Sequence, residues 1–173
     1  MFRDQSLLPA EAVRLAALGL LAERPRRYGD LATEIRHFIG LAVGPSLDLM
    51  GSSIELLRHE GLATAEGDAL KLSVAGAEAL KRLLEAPLRA PSNDAGRLVL
   101  LLKLRFLDQL GAAEQAAQRE QIADSLSAEL ARLEELRRLH ADTAPALDDW
   151  LDRDIRDLHD RIEEFRKRGP RFV

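Results

Sequence analysis

The chain has 173 residues, 46% of them apolar and 31% charged, a composition that folds as one domain or two small ones and excludes a disordered polar chain. With no cysteine, a disulfide framework, a thiolate metal site and a cysteine nucleophile are excluded. The 25 basic and 29 acidic residues give a net charge of −4, split 11 against 12 over residues 1–90 and 14 against 17 over residues 91–173. Neither half has a basic excess, so any surface for a polyanion must be local. No apolar run approaches the roughly 20 residues of a bilayer span, and Met1-Phe2-Arg3-Asp4-Gln5 does not read as a signal peptide. A cytoplasmic protein without membrane contact is expected.

Leu and Ala dominate, and long helices follow from that. The first runs from about Pro9 to Ala22: Pro9 suits a first-turn position, and Pro25 stops the run because the residue before a proline avoids helical geometry. Arg26-Arg27-Tyr28-Gly29 reads as a connection. The second helix is expected over about Asp30–Ile39, with Gly40 as its stop. Ser46 is the expected N-cap of a third helix reaching Glu60, whose Leu47, Met50, Ile54 and Leu57 form one helical stripe. Residues 62–66 and 69–73 then flank Gly67-Asp68, a two-residue loop of a hairpin-favouring type. Ser73 can cap a fourth helix to about Glu85.

Two prolines, Pro87 and Pro91, break the helical run, and the expected division is residues 1–88 against residues 93–173. Beyond the break every element reads as helix. Leu98–Leu110 is apolar nearly all round, and a long helix over about Ala112–Leu139 follows with the seam Ile122, Leu126, Leu130, Leu133 and Leu136. Pro145 restarts a last helix to about Arg168, with the seam Leu147, Leu151, Ile155, Leu158, Ile162 and Phe165. Its outer face carries acid-to-base pairs four apart, among them Asp149–Arg153, Asp152–Arg156 and Glu163–Lys167. A heptad-like seam inside and paired charges outside predict a coiled-coil-like packing edge. The expected dimer contacts are Leu104, Leu107, Leu147, Trp150, Leu151, Ile155, Leu158, Ile162 and Phe165.

Three helices, a two-stranded ribbon and a helix, in that order, are the elements of a winged helix-turn-helix. The fold expected is therefore mostly α: an N-terminal winged helix followed by a C-terminal helical dimerisation domain. Particular stretches add a resemblance. Leu18-Gly19-Leu20-Leu21-Ala22-Glu23-Arg24-Pro25 with Tyr28-Gly29-Asp30-Leu31, then Leu57-Arg58-His59-Glu60-Gly61-Leu62, resemble the opening and the recognition-helix end of PadR-like regulators. Leu70-Lys71-Leu72-Ser73-Val74-Ala75-Gly76-Ala77-Glu78-Ala79-Leu80 is similar to that family's exit from the wing, and Leu102-Lys103-Leu104-Arg105-Phe106-Leu107 to its "K-L-x-F-L" motif. The resemblance covers most of the chain. It implies a homodimeric transcriptional regulator, in particular a repressor, that binds a palindromic operator in duplex DNA and responds to a small-molecule effector or protein partner. Two features depart from the family pattern. Leu49, Met50 and Gly51 stand where relatives carry a small residue, an apolar residue and a tyrosine, and the wing tip Glu66-Gly67-Asp68 is acidic.

The candidate DNA contacts are Arg26, Arg27, Tyr28, Arg36, Ser46, Ser52, Ser53, Arg58, His59 and Lys71. Arginines at such positions meet phosphates, which orient the protein without reading sequence, whereas Ser52 and Ser53 are placed to touch base edges. A protein-interaction module with little DNA binding is the competing expectation, and its surface would be the apolar Leu49 and Leu56. An enzyme is not expected. Gly40-Leu41-Ala42-Val43-Gly44-Pro45 lacks the lysine and flanking strand of a phosphate loop. His37, His59, His140 and His159 are dispersed, and the aspartates from Asp148 to Asp160 have helical spacing rather than the loop spacing of a calcium site. No cofactor or metal is implied.

Overall fold

A computed structural model describes residues 9–44, 53–88, 93–140 and 144–167. Helix α1, Pro9–Glu23, is the centre of the N-terminal half. Ala12, Val13, Leu15, Ala16, Ala17, Leu18, Leu20 and Leu21 are all buried, because α1 packs against neighbours on nearly every side. Gly19 permits the closest of these contacts: a Cβ there would lie 2.5 Å from the Phe106 ring.

The stretch after Pro25 differs from its reading as a plain connection. Arg26–Arg27 form strand β1, extended at Arg27 with φ −65° and ψ 148°. Two residues are too few to show an alternating pattern, so only the tertiary pairing reveals the strand. Helix α2 spans Tyr28–Val43 and runs past Gly40. A helical glycine costs about 1 kcal/mol against alanine, and here Ile39, Ala42 and Val43 offset it by packing on the core. The stop is Gly44, which adopts φ 85°.

Helix α3, Ser53–His59, buries Ile54 and Leu57 as the stripe predicts; Leu47, Met50 and the expected cap Ser46 lie outside the described residues. Its end is a Schellman turn. Gly61 takes φ 72°, its N–H donates to the Arg58 carbonyl at 3.1 Å, and the Leu62 N–H donates to the Leu57 carbonyl at 2.8 Å. Strands β2, Ala63–Glu66, and β3, Ala69–Leu72, form the predicted ribbon around Gly67-Asp68, with Glu66 opposite Ala69. The antiparallel sheet has the order β1-β3-β2, and Arg26 and Arg27 pair with Leu70 and Ala69.

Ser73 caps α4, Val74–Glu85, by accepting from the Gly76 N–H at 2.9 Å, and its hydroxyl donates to the Gly61 carbonyl at 2.6 Å. Gly76 lies directly under the Leu62 carbonyl, where a side chain has no room. Wing and α4 are thus one joined unit.

Helix α5, Asp94–Arg105, starts earlier than expected because Asn93 caps it, accepting from Gly96 N–H at 2.8 Å. It also ends earlier, giving way to a 3-10 turn over Leu107–Gln109. Leu98, Val99, Leu102, Phe106, Leu107 and Leu110 join the same apolar core as α1, α2 and α4. That core therefore draws on both sides of the proline-containing break. Helices α6, Ala112–His140, and α7, Pro145–Lys167, form a separate antiparallel hairpin. Ile122, Ala123, Leu126, Leu130 and Leu133 meet Leu151, Ile155, Leu158 and Ile162 in its seam. Glu163–Lys167 forms as the spacing predicts, whereas Asp152 reaches across to Arg137 at 2.6 Å. The architecture is a winged helix followed by a helical C-terminal part.

Candidate nucleic-acid interface

A cleft of about 560 Å³ lies between α3 and the wing. Tyr28 enters it from the start of α2, Glu55, Arg58 and His59 from α3, and Gly67 and Asp68 from the wing tip. The buried stripe of Ile54 and Leu57 anchors α3 to the core and so turns Glu55, Arg58 and His59 outward. An ion pair of 2.7 Å between Arg14 and Glu60 ties the end of α3 back to α1. Three candidates, Tyr28, Arg58 and His59, are thereby brought onto one exposed surface with the wing beside them.

The charges around this cleft are nearly balanced. Arg27 pairs with Asp68 at 2.6 Å, and both side chains are 69% exposed. Lys71 pairs with Glu66 at 3.1 Å, again in the open. The acidic wing tip is therefore neutralised by the two cations nearest to it. Exposed pairs of this kind are worth about 0–1 kcal/mol and open readily when a phosphate offers an alternative.

The other candidates are placed differently. Arg26 is only 8% exposed. Its guanidinium donates to the Leu20 carbonyl at 3.1 Å, to Glu23 at 2.7 Å and to Glu34, which leaves it engaged inside the protein. Arg36 is exposed on α2, eight residues beyond Tyr28 or about 12 Å along the helix. Ser46 and Ser52 lie outside the described residues, and Ser53 begins α3. Leu56 is 43% exposed on α3.

Of the expected dimer contacts, Leu151, Ile155, Leu158 and Ile162 are buried against α6 of the same chain, and Leu107 belongs to the first core. Leu104, Leu147 and Phe165 are half-buried against the hairpin. Trp150, also among the expected dimer contacts, is 55% exposed near the turn of the hairpin, where Leu139 is 62% exposed.

One structural residue escaped the sequence reading. Lys103 is 1% exposed, and its ammonium donates to the Leu84 and Ala86 carbonyls at 2.5 Å each and to Gln118 Oε1 at 3.3 Å. It satisfies the C-terminal carbonyls of α4 and joins α4, α5 and α6. Burial pushes its pKa from 10.5 down to about 8, against the opposing pull of Glu85. The signal was a lone lysine inside the apolar run Val99–Leu104, a position that requires buried partners.

Among the described residues no group of three or more side chains is placed to hold a metal ion, and no helix is long and apolar enough to cross a membrane. No curated protein matches the chain. The model of the AphA-like transcriptional regulators matches residues 2–167, which takes in both the winged helix and the hairpin, and the chain belongs to that family of transcriptional regulators.

Proposed function

We propose that the chain is a homodimeric, PadR-like repressor that binds a palindromic operator through the cleft between α3 and the wing. It is a cytoplasmic regulator and not an enzyme. The observation that carries the reading is the convergence of Tyr28, Arg58 and His59 on one exposed face beside the wing, within a chain of a regulator family. Arg27 and Lys71 join them once their wing partners give way to phosphates. Helix α3 enters the major groove, and two copies about 34 Å apart read successive turns of the duplex. The hairpin supplies the dimer contact. Exposed Leu136, Leu139 and Trp150 at its distal end, with half-buried Leu104, Leu147 and Phe165, are the apolar surface that a second copy covers.

Binding of the full chain to a pool of random-sequence duplexes at two salt concentrations tests the reading. Affinity that falls steeply with salt, and enrichment of a palindrome, are the expected results. Introducing charge with Trp150→Glu and Leu139→Glu should shift sedimentation from dimer to monomer.

The second reading is a protein-interaction module, favoured by the internal pairing of the wing charges and by exposed Leu56. Under that reading Leu56→Arg abolishes partner capture and the duplex pool shows no salt-dependent binding.

A further inference from the structure

The carboxylates of the wing tip and of the end of α3 each hold a cation. Asp68 pairs with Arg27 at 2.6 Å, Glu66 with Lys71 at 3.1 Å and Glu60 with Arg14 at 2.7 Å. Glu55 differs. It lines the wing cleft from α3 and is exposed, and among the described residues no cation stands within ion-pair distance of it. Arg58 and His59 line the same cleft three and four residues later, about one helical turn or 5 Å along the axis.

A bare carboxylate on a surface that meets a polyanion repels the phosphates that Arg58 and His59 attract. Only a hydrogen-bond donor on the nucleic acid can offset that repulsion, and phosphates offer none. In the major groove the donors are the N4 amino group of cytosine and the N6 amino group of adenine. Adenine carries the N7 acceptor beside its amino group, which opposes the second carboxylate oxygen. Cytosine has no acceptor there, and guanine and thymine present no donor at all. The chemistry of Glu55 therefore ranks cytosine first and adenine second.

We infer that Glu55 is a specificity-determining residue that accepts a hydrogen bond from the N4 amino group of a cytosine in each operator half-site. The inference rests on the DNA-binding reading of the cleft. It divides the work of α3 between neighbouring turns: Arg58 and His59 meet the phosphates of any duplex, and Glu55 weakens binding to every duplex that does not present the amino group. Discrimination then comes from repulsion of wrong sequences as much as from attraction to the right one.

The test takes the full chain as wild type, Glu55→Gln and Glu55→Ala through selection from the random duplex pool. Affinities for the palindrome that wild type selects, and for a scrambled duplex, are then measured at about 50 mM salt. Wild type should select a half-site with one position fixed as cytosine, and thymine at that position should weaken its binding about tenfold. Glu55→Gln should move the preference there from cytosine to adenine, whose N6 and N7 match both ends of the amide. Glu55→Ala should leave the position unspecified and bind the scrambled duplex about two- to fivefold tighter than wild type, because a repelling charge is gone. A role in folding or in overall charge alone would change affinities and leave the selected bases as they were. The same bases selected by all three chains, or no gain for the scrambled duplex in Glu55→Ala, overturns the role of Glu55 and leaves the DNA-binding reading standing. Salt-dependent binding of wild type without any enriched sequence does the same. A wild type with neither enrichment nor salt-dependent affinity overturns both.

Discussion

Arg26 and Arg27 are neighbours in sequence and opposites in the fold. The first is 8% exposed and held by a carbonyl and two carboxylates, whereas the second is 69% exposed and held by one carboxylate of the wing. The same contrast separates two regions of the molecule. In the joints around Arg26, Lys103 and Gly76, polar and close-packed atoms are enclosed and have no alternative partners. In the cleft beside α3, the wing's charges are exposed and already balanced, so their pairs can be exchanged. A winged helix needs both: joints that fix where the wing stands, and a surface whose ion pairs open at little cost.

If the contrast holds, the largest effect comes from the joint with no room to adjust. Gly76→Ala would drive a Cβ into the Leu62 carbonyl, and a Leu72 methyl lies only 2.8 Å away. Because the obstacle is backbone, a loss of about 3 kcal/mol or more is expected in denaturant unfolding.

Lys103→Met should cost about 2 kcal/mol at pH 7, since the Leu84 and Ala86 carbonyls lose their buried donor. The pH dependence sharpens this prediction. The folded pKa of about 8 lies below the unfolded 10.5, so between these values the unfolded chain binds more protons and stability rises with pH. The stability advantage of the wild type over Lys103→Met should therefore widen from about pH 8 towards pH 10 and stay level below about pH 7. A constant difference would mean that Lys103 titrates normally. Arg26→Met should cost about 2 kcal/mol as well, against about 0–0.5 kcal/mol for Arg27→Gln, because only Arg26 is enclosed.

Effects in the cleft should be smaller and should appear in binding. Asp68→Asn and Glu66→Gln release Arg27 and Lys71 from their pairs and remove negative charge from the wing tip. Duplex affinity at low salt should rise about two- to fivefold for each, with folding stability unchanged within about 0.5 kcal/mol. A decrease in affinity would show that the wing carboxylates orient the cations rather than withhold them.

How much of this was legible in the sequence differed by element. The two C-terminal helices were, because Leu151, Ile155, Leu158 and Ile162 repeat at helical spacing, whereas the closure of that seam on α6 of the same chain was not, since the repeat does not say which helix covers it. The ribbon was too, since Gly67-Asp68 separates two short apolar runs. The C-terminal half of α2 was not: Gly40 looks like a stop, and only packing of Ala42 and Val43 on the core carries the helix past it. Nor was β1, whose two residues acquire their strand from the partner Ala69–Leu70. In the candidate interface, Tyr28, Arg58 and His59 share one cleft because the elements that carry them were placed correctly. The burial of Arg26 was not legible, because composition cannot tell a buried guanidinium from an exposed one. That distinction arises from Glu23, Glu34 and the Leu20 carbonyl, contributed by two different helices.

The central claim, that the cleft between α3 and the wing meets the phosphates of a duplex, is tested most directly by the salt dependence of binding in three variants. Affinity for a fixed duplex would be measured from about 50 to 200 mM salt for wild type, Arg58→Gln, Arg27→Gln and Arg26→Gln. Removing a cation that neutralises a phosphate should lower the slope of log affinity against log salt by about one per bound copy. Arg58→Gln and Arg27→Gln are predicted to show that decrease, and Arg26→Gln, compared where it remains folded, to keep the wild-type slope. A slope unchanged by Arg58→Gln, or no duplex affinity at about 50 mM salt where charges are weakly screened, would contradict the account.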